Sequence, residues 1–110
     1  MSILDKLHDQ AMEAAFLADL ERRKGNEEDA AKLFEKALDL ERQAIAEMTA
    51  PVEPTWSILH RSAGWLALDC NQPRQAERLA CIALTGDPPP EIADELRDLL
   101  EQARSFYDRL

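Results

Sequence analysis

Two histidines, His8 and His60, and two cysteines, Cys70 and Cys81, are the side chains of this 110-residue chain best suited to proton transfer, nucleophilic attack or metal binding. Their spacing argues against all three. The histidines fall in different helical segments, with no H-x-x-x-H or Glu-x-x-His pattern to place two donors one turn apart. Each reads as an ordinary surface or boundary residue. Cys70 and Cys81 stand eleven apart without a neighbouring ligand set, which argues against zinc. Cys70, beside a turn, reads as a small buried hydrophobe. The carboxylate pairs Glu27/Glu28 and Asp94/Glu95 sit on solvated faces and helix starts, whereas a general acid needs a desolvated pocket to raise its pKa. Gly25, Gly64 and Gly86 are isolated, so no phosphate-cradling loop is present. These observations predict no catalytic residue, no metal site and no cofactor, and a protein that is not an enzyme.

The elements that hold these residues are helical. Hydrophobic residues make up 45% of the chain, mostly Leu and Ala. Together with abundant Glu, Arg, Lys and Gln they favour helix over sheet. Net charge is −9, from 22 acidic and 13 basic residues. Phosphate neutralisation and anionic membrane surfaces both require the opposite balance, so neither nucleic acid nor membrane is an expected partner. No basic leader or apolar run of membrane-spanning length is read at the start, and two cysteines are too few for a disulfide framework. The expected setting is the cytoplasm, with reduced thiols.

Five helices are predicted, in a single domain spanning 1–110. Ser2, with Asp5 three residues on, resembles a capping box. Ile3, Leu7, Ala11, Ala14, Leu17 and Ala18 form a stripe that Met12, Phe16 and Leu20 widen. Gly25 ends this helix, and Asn26 is the expected cap of the next. The second helix buries Ala30, Phe34, Ala37, Leu38, Ala44, Ile45 and Met48, and the prolines of "TAPVEP" end it. The third runs from Thr55 to Asp69, with Trp56, Leu59, Ala63 and Leu66 on one side, and Asn71 and Gln72 turn the chain. Pro73 opens the fourth, which buries Ala76, Leu79, Ala80, Ala83 and Leu84. The fifth begins near Pro90 and carries Ile92, Leu96, Leu99, Leu100, Ala103 and Phe106.

The chain repeats itself at an offset of 46 residues. Leu20 falls on Leu66, Ala30 on Ala76, Leu33 on Leu79, Ala37 on Ala83 and Leu38 on Leu84. Ala18 precedes Ala30 by twelve residues, as Gly64 precedes Ala76. A small side chain on each helix at one crossing point lets two backbones approach closely. Leu17–Ala18, Ala30, Phe34 and Ala37 in the first pair, and Gly64, Ala76, Ala83 and Pro88 in the second, resemble the tetratricopeptide repeat, whose period is about 34 residues. The chain departs from that pattern at Ala14, Glu21, Arg42, His60, Ala67 and Ala80, and its longer period lies in the second helix and the "TAPVEP" connector. It also resembles a group of short bacterial proteins with "LALDC" and "EIADELRDLL", a likeness that brings no activity with it.

The repeat resemblance implies an all-α, five-helix antiparallel α-α superhelix, with two TPR-like pairs at about 2–48 and 55–86 and a capping helix at about 90–109. In such repeats the first helices line a concave groove that holds a partner segment. Projected here, that groove comprises Met12, Ala15, Asp19 and Arg22, then Ile58, Arg61, Trp65, Leu68 and Asp69. Trp65 is either an exposed hot spot or a core filler. Arg22 and Arg61 either clasp a partner carboxylate or pair with Asp19 or Asp69. Ala15 and Asp19 stand where the family's carboxylate clamp uses Lys and Asn, so that chaperone-binding role does not transfer. The expected function is protein–protein interaction, as a small adaptor or regulatory subunit. The alternatives are a homodimer joined through Phe106, Tyr107 and Leu110 of the terminal helix or, more remotely, a small helical enzyme using His60.

Overall fold

The helices begin and end where local chemistry satisfies their free backbone groups. The computed structural model describes residues 1–108 and contains α1 (Ile3–Arg23), α2 (Glu27–Ala46), α3 (Thr55–Asp69), α4 (Pro73–Leu84) and α5 (Pro90–Asp108). The domain is all-α. Leu110, assigned above to a dimer contact, lies outside the described residues. Ser2 caps α1 by accepting from the Asp5 N–H at 3.1 Å. Asn26 does not cap α2. Its amide donates back to Glu21 Oε2 at 2.6 Å, because the left-handed Gly25 (φ 84°) turns the chain into a Schellman closure instead. α3 is capped from an unexpected residue. Glu53, in the connector, accepts from the Ser57 N–H at 3.1 Å and from its hydroxyl at 2.8 Å.

The 46-residue correspondence reappears in the turns. The N–H groups of Lys24, Gly25, Asn26 and Ala30 donate to the carbonyls of Leu20, Arg22, Glu21 and Asn26. Forty-six residues on, those of Cys70, Asn71, Gln72 and Ala76 donate to Leu66, Leu68, Ala67 and Gln72. Asn71 takes the glycine's place with φ 57°, since its short polar side chain tolerates the left-handed region.

α2 folds back along α1. His8, early in α1, meets Glu41, late in α2, while the Arg22 guanidinium stacks 4.8 Å over the Phe34 ring at the other end. α3 lies against α2, α4 and α5, and α5 covers α4. The extents, 39 × 39 × 20 Å, are those of a slab about two helix diameters thick. Its core is mostly small. Ala11, Ala14 and Ala18 of α1 face a slab interior that also holds Ala30, Ala37, Ala63, Ala67, Ala76, Ala80 and Ala83, all buried. Leu59, Leu96 and Leu99 are the largest fully enclosed apolar side chains, each stabilising by about 1.5–3 kcal/mol.

Several expectations are corrected. Gly64, buried as expected, does not serve the α3–α4 crossing; a Cβ there would run into Leu99 of α5. The bare backbone is the seat of α5. The first helix's apolar stripe is half open: Ile3 and Leu17 are exposed, as is Phe16, because no element among the described residues covers those flanks. His60 is 2% exposed and so is no surface residue, and Glu41 is fully buried on the apolar face of α2. His8 Nδ1 donates to both Glu41 oxygens at 2.9 Å, and Ser62 of α3 lies near enough to this carboxylate to lower its pKa. Burial holds the Glu41 carboxyl above its ordinary range, partly offset by His8 and Ser62.

Three outcomes check these assignments by urea denaturation. Gly64→Ala is expected to destabilise by about 1–3 kcal/mol through overpacking on Leu99. Asn71→Ala is expected to cost ~1 kcal/mol and Asn71→Gly close to nothing, since only glycine relieves the left-handed backbone. His8→Ala is expected to cost about 1–3 kcal/mol by orphaning a buried acceptor, while Glu41→Leu changes stability by under ~1 kcal/mol.

Candidate functional site

The projected groove residues divide between an open face and the core. On α1, Met12 and Ala15 are half-buried against the core, and Asp19 and Arg22 stand at the edge. Ile58 on α3 is likewise half-buried. Leu68 is 8% exposed and belongs to the hydrophobic core; it turns inward because it lies four residues beyond Gly64, on the packed side of α3. Trp65 is 36% exposed, with Arg61 one turn before it and Asp69 one turn after.

Both groove arginines are engaged. Arg22 bonds Asp19 at 2.9 Å and reaches across to Asp69 of α3 at 3.2 Å. Arg61 does not pair with Asp19 or Asp69; it bonds Glu95 of α5 at 2.7 Å. These contacts tie α3 to the helix on either side. They are largely exposed, so each contributes at most about 1 kcal/mol. Their main effect is to occupy the guanidiniums, which therefore are not free clasps for a carboxylate. Partial burial keeps the Asp69 carboxyl above its usual range despite the Arg22 pair. Arg23 adds a further bond to Asp19 at 2.7 Å.

Phe16 was not assigned to the binding face by the repeat projection. It is 64% exposed, four residues after Met12 and three before Asp19, hence on the same flank of α1. The signal was available: Phe16 lies off the Ala11–Ala14–Ala18 stripe that meets α2. Two aromatic side chains, Phe16 on α1 and Trp65 on α3, therefore stand open.

Burial constrains two of the groups with latent chemistry, His60 and Cys70. His60 Nδ1 donates to the Trp56 carbonyl at 2.7 Å, and its ring packs 4.3 Å from that of Trp56. Burial lowers the imidazole's pKa, more than the Trp56 carbonyl and the Glu53 charge raise it. The Cys70 thiol is pushed up to about 11, first by burial and then by Glu35 and Asp69, which leaves it protonated at neutral pH. Cys81 is exposed. Among the described residues no group of three His, Cys, Asp or Glu side chains could hold a metal ion, and no helix is long and apolar enough to cross a membrane. Phe106 and Tyr107, expected to reach a second subunit, are half-buried at the end of α5, and the Arg74 guanidinium stacks 5.4 Å over the Tyr107 ring.

No family model, no curated protein and no solved structure matches the chain.

The lowered His60 pKa sets a pH dependence. Protonation is favoured in the unfolded chain, so this residue's contribution is complete above the ordinary value of 6.5 and is lost as pH falls below it. The urea midpoint is expected to drop between about pH 7.5 and about pH 5.5, and to drop less in His60→Gln.

Proposed function

We propose that this chain is a small helical-repeat adaptor that binds a segment of another protein across the face formed by α1 and α3. The observation that carries this reading is the open Trp65, held on a helix that ion pairs tie on both flanks. A half-exposed Trp on a rigid helix offers a large contact area at small entropic cost, the profile of a binding hot spot. Phe16 and Met12 on α1 supply a second apolar anchor.

The TPR-like reading is supported by the turn that recurs with the same hydrogen bonds after 46 residues and by buried small residues at Ala18, Ala30 and Ala76. On this reading α1 and α3 are the groove-lining helices of a short antiparallel superhelix, and α5 closes it. The partner is a protein or peptide rather than nucleic acid or membrane, because a net charge of −9 repels polyanions. Its contact chemistry follows the face: apolar or aromatic groups for Trp65 and Phe16, with polar groups matching the already paired Asp19, Arg22, Arg61 and Glu95. The long-range field of the chain's charge is damped within about 8 Å at physiological salt and mainly tunes encounter. The role is binding rather than catalysis, in a cytoplasmic setting.

The test is affinity capture with the full chain as bait, followed by titration of whatever is captured. Trp65→Ala and Phe16→Ala are each expected to weaken binding at least about tenfold, with helical circular dichroism unchanged. Undiminished binding by the double variant would remove this face from consideration.

A further inference from the structure

The repeat shows which flank of the first helix pair lacks a neighbour. On α3, Gly64 and Arg61 turn toward α5, while Leu59, Ala63 and Leu66 lie on the side away from it and are buried. Ser62, next to them, lies beside Glu41 of α2 and lowers its pKa, so this side turns toward the first pair. Forty-six residues earlier the equivalent positions on α1 are Glu13, Leu17 and Leu20. Nothing covers them in the same way: Glu13 is exposed, Leu17 is 42% exposed and Leu20 is only half-buried.

An open cleft of about 380 Å³ runs between α1 and α2 along this flank. Leu17, Leu33 and Leu40 supply its apolar lining; Gln10, Glu13 and Lys36 supply its polar edge. Glu13 comes from α1 and Lys36 from α2, opposite charges on opposite banks. Neither has an ion-pair partner among the described residues. A surface with an apolar centre and one unmatched charge of each sign on its two banks is complementary to itself under a twofold rotation. At the second helix pair, the object that fills this position is another hairpin of the same chain.

We propose that a second copy of this chain covers the cleft across a twofold axis, with Leu17, Leu33 and Leu40 of the two copies in contact and Glu13 of each paired with Lys36 of the other. This contact is at the opposite end of the stack from Phe106 and Tyr107. It leaves Met12 and, on α3, Trp65 of the proposed partner face free, while Phe16 borders it. The 21 residues of α1 make the flank about 30 Å long and, across two helices, roughly 20 Å wide. That offers ~600 Å² per copy, or ~1,200 Å² in the pair, the low end for a specific interface. The expected dimer therefore forms in the micromolar range rather than below it.

Sedimentation equilibrium of the full chain, from low micromolar to near-millimolar concentration, is the test. The mass is expected to rise from 12.4 kDa toward twice that value. Leu17→Asp, at an already exposed site, is expected to keep the monomer mass throughout with unchanged helicity. Glu13→Lys is expected to weaken association by roughly tenfold, and adding Lys36→Glu in the same chain to restore it. Trp65→Ala is expected to leave association unchanged. A parent chain that stays monomeric at every concentration overturns the proposal, as does a dimer indifferent to Leu17→Asp. So does a failure of the charge exchange to restore pairing, or a mass that climbs past two copies, which would mean head-to-tail stacking.

Discussion

The close approach of helix backbones across alanine and glycine is the constraint on which the architecture depends. α1 meets the interior through Ala11, Ala14 and Ala18, and α4 through Ala76, Ala80 and Ala83, all buried. α3 goes further at Gly64, where the missing side chain is the space that Leu99 occupies. Close-packed interiors leave little slack, so small residues at the crossings fix the helix separation, and the slab is only 20 Å thick. A thin core has little room for large side chains. Phe16, Leu17 and Trp65 stand outside it, and the apolar surface the chain presents follows from that exclusion.

The polar interior qualifies this picture. Glu41 and Ser57 are fully buried and His60 nearly so. Each is answered, Glu41 by His8, Ser57 by Glu53, and His60 by the Trp56 carbonyl. Buried polar groups cost little when satisfied and much when not, and they add direction to a core whose alanines interact almost without preference. Glu41 links α2 to α1 at one point, which fixes the register within the first pair.

Helix boundaries were legible in the sequence because punctuation is local chemistry. Ser2, Gly25, Asn71 and Pro73 act through their own backbone and immediate neighbours. The repeat spacing was legible for the same reason, since a turn of fixed hydrogen bonding recurs wherever its residues do. What could not be read is which flank of a helix finds a neighbour. Leu17 and Leu59 are both leucines on helical stripes, yet one is half open and the other sealed; only the stacking order distinguishes them. For the same reason Leu68 is expected on the groove, His60 at the surface or boundary, and Arg61 on a partner carboxylate or on Asp19 or Asp69. Glu95, its actual partner, is 34 residues away. Glu41 was within reach of a closer reading, because it falls on the stripe between Leu38 and Ala44.

The order of contacts along the chain bears on how the molecule is made. α1 packs on α2, α2 on α3, α3 on α4 and α4 on α5, and the one further substantial contact, α3 with α5, skips a single element. Chains dominated by such local contacts need little loop closure before contacts reward it. During synthesis the α1–α2 hairpin can therefore condense as soon as it leaves the ribosome. Its α3-facing side then receives α3, and α4 and α5 each settle on the helices just before them.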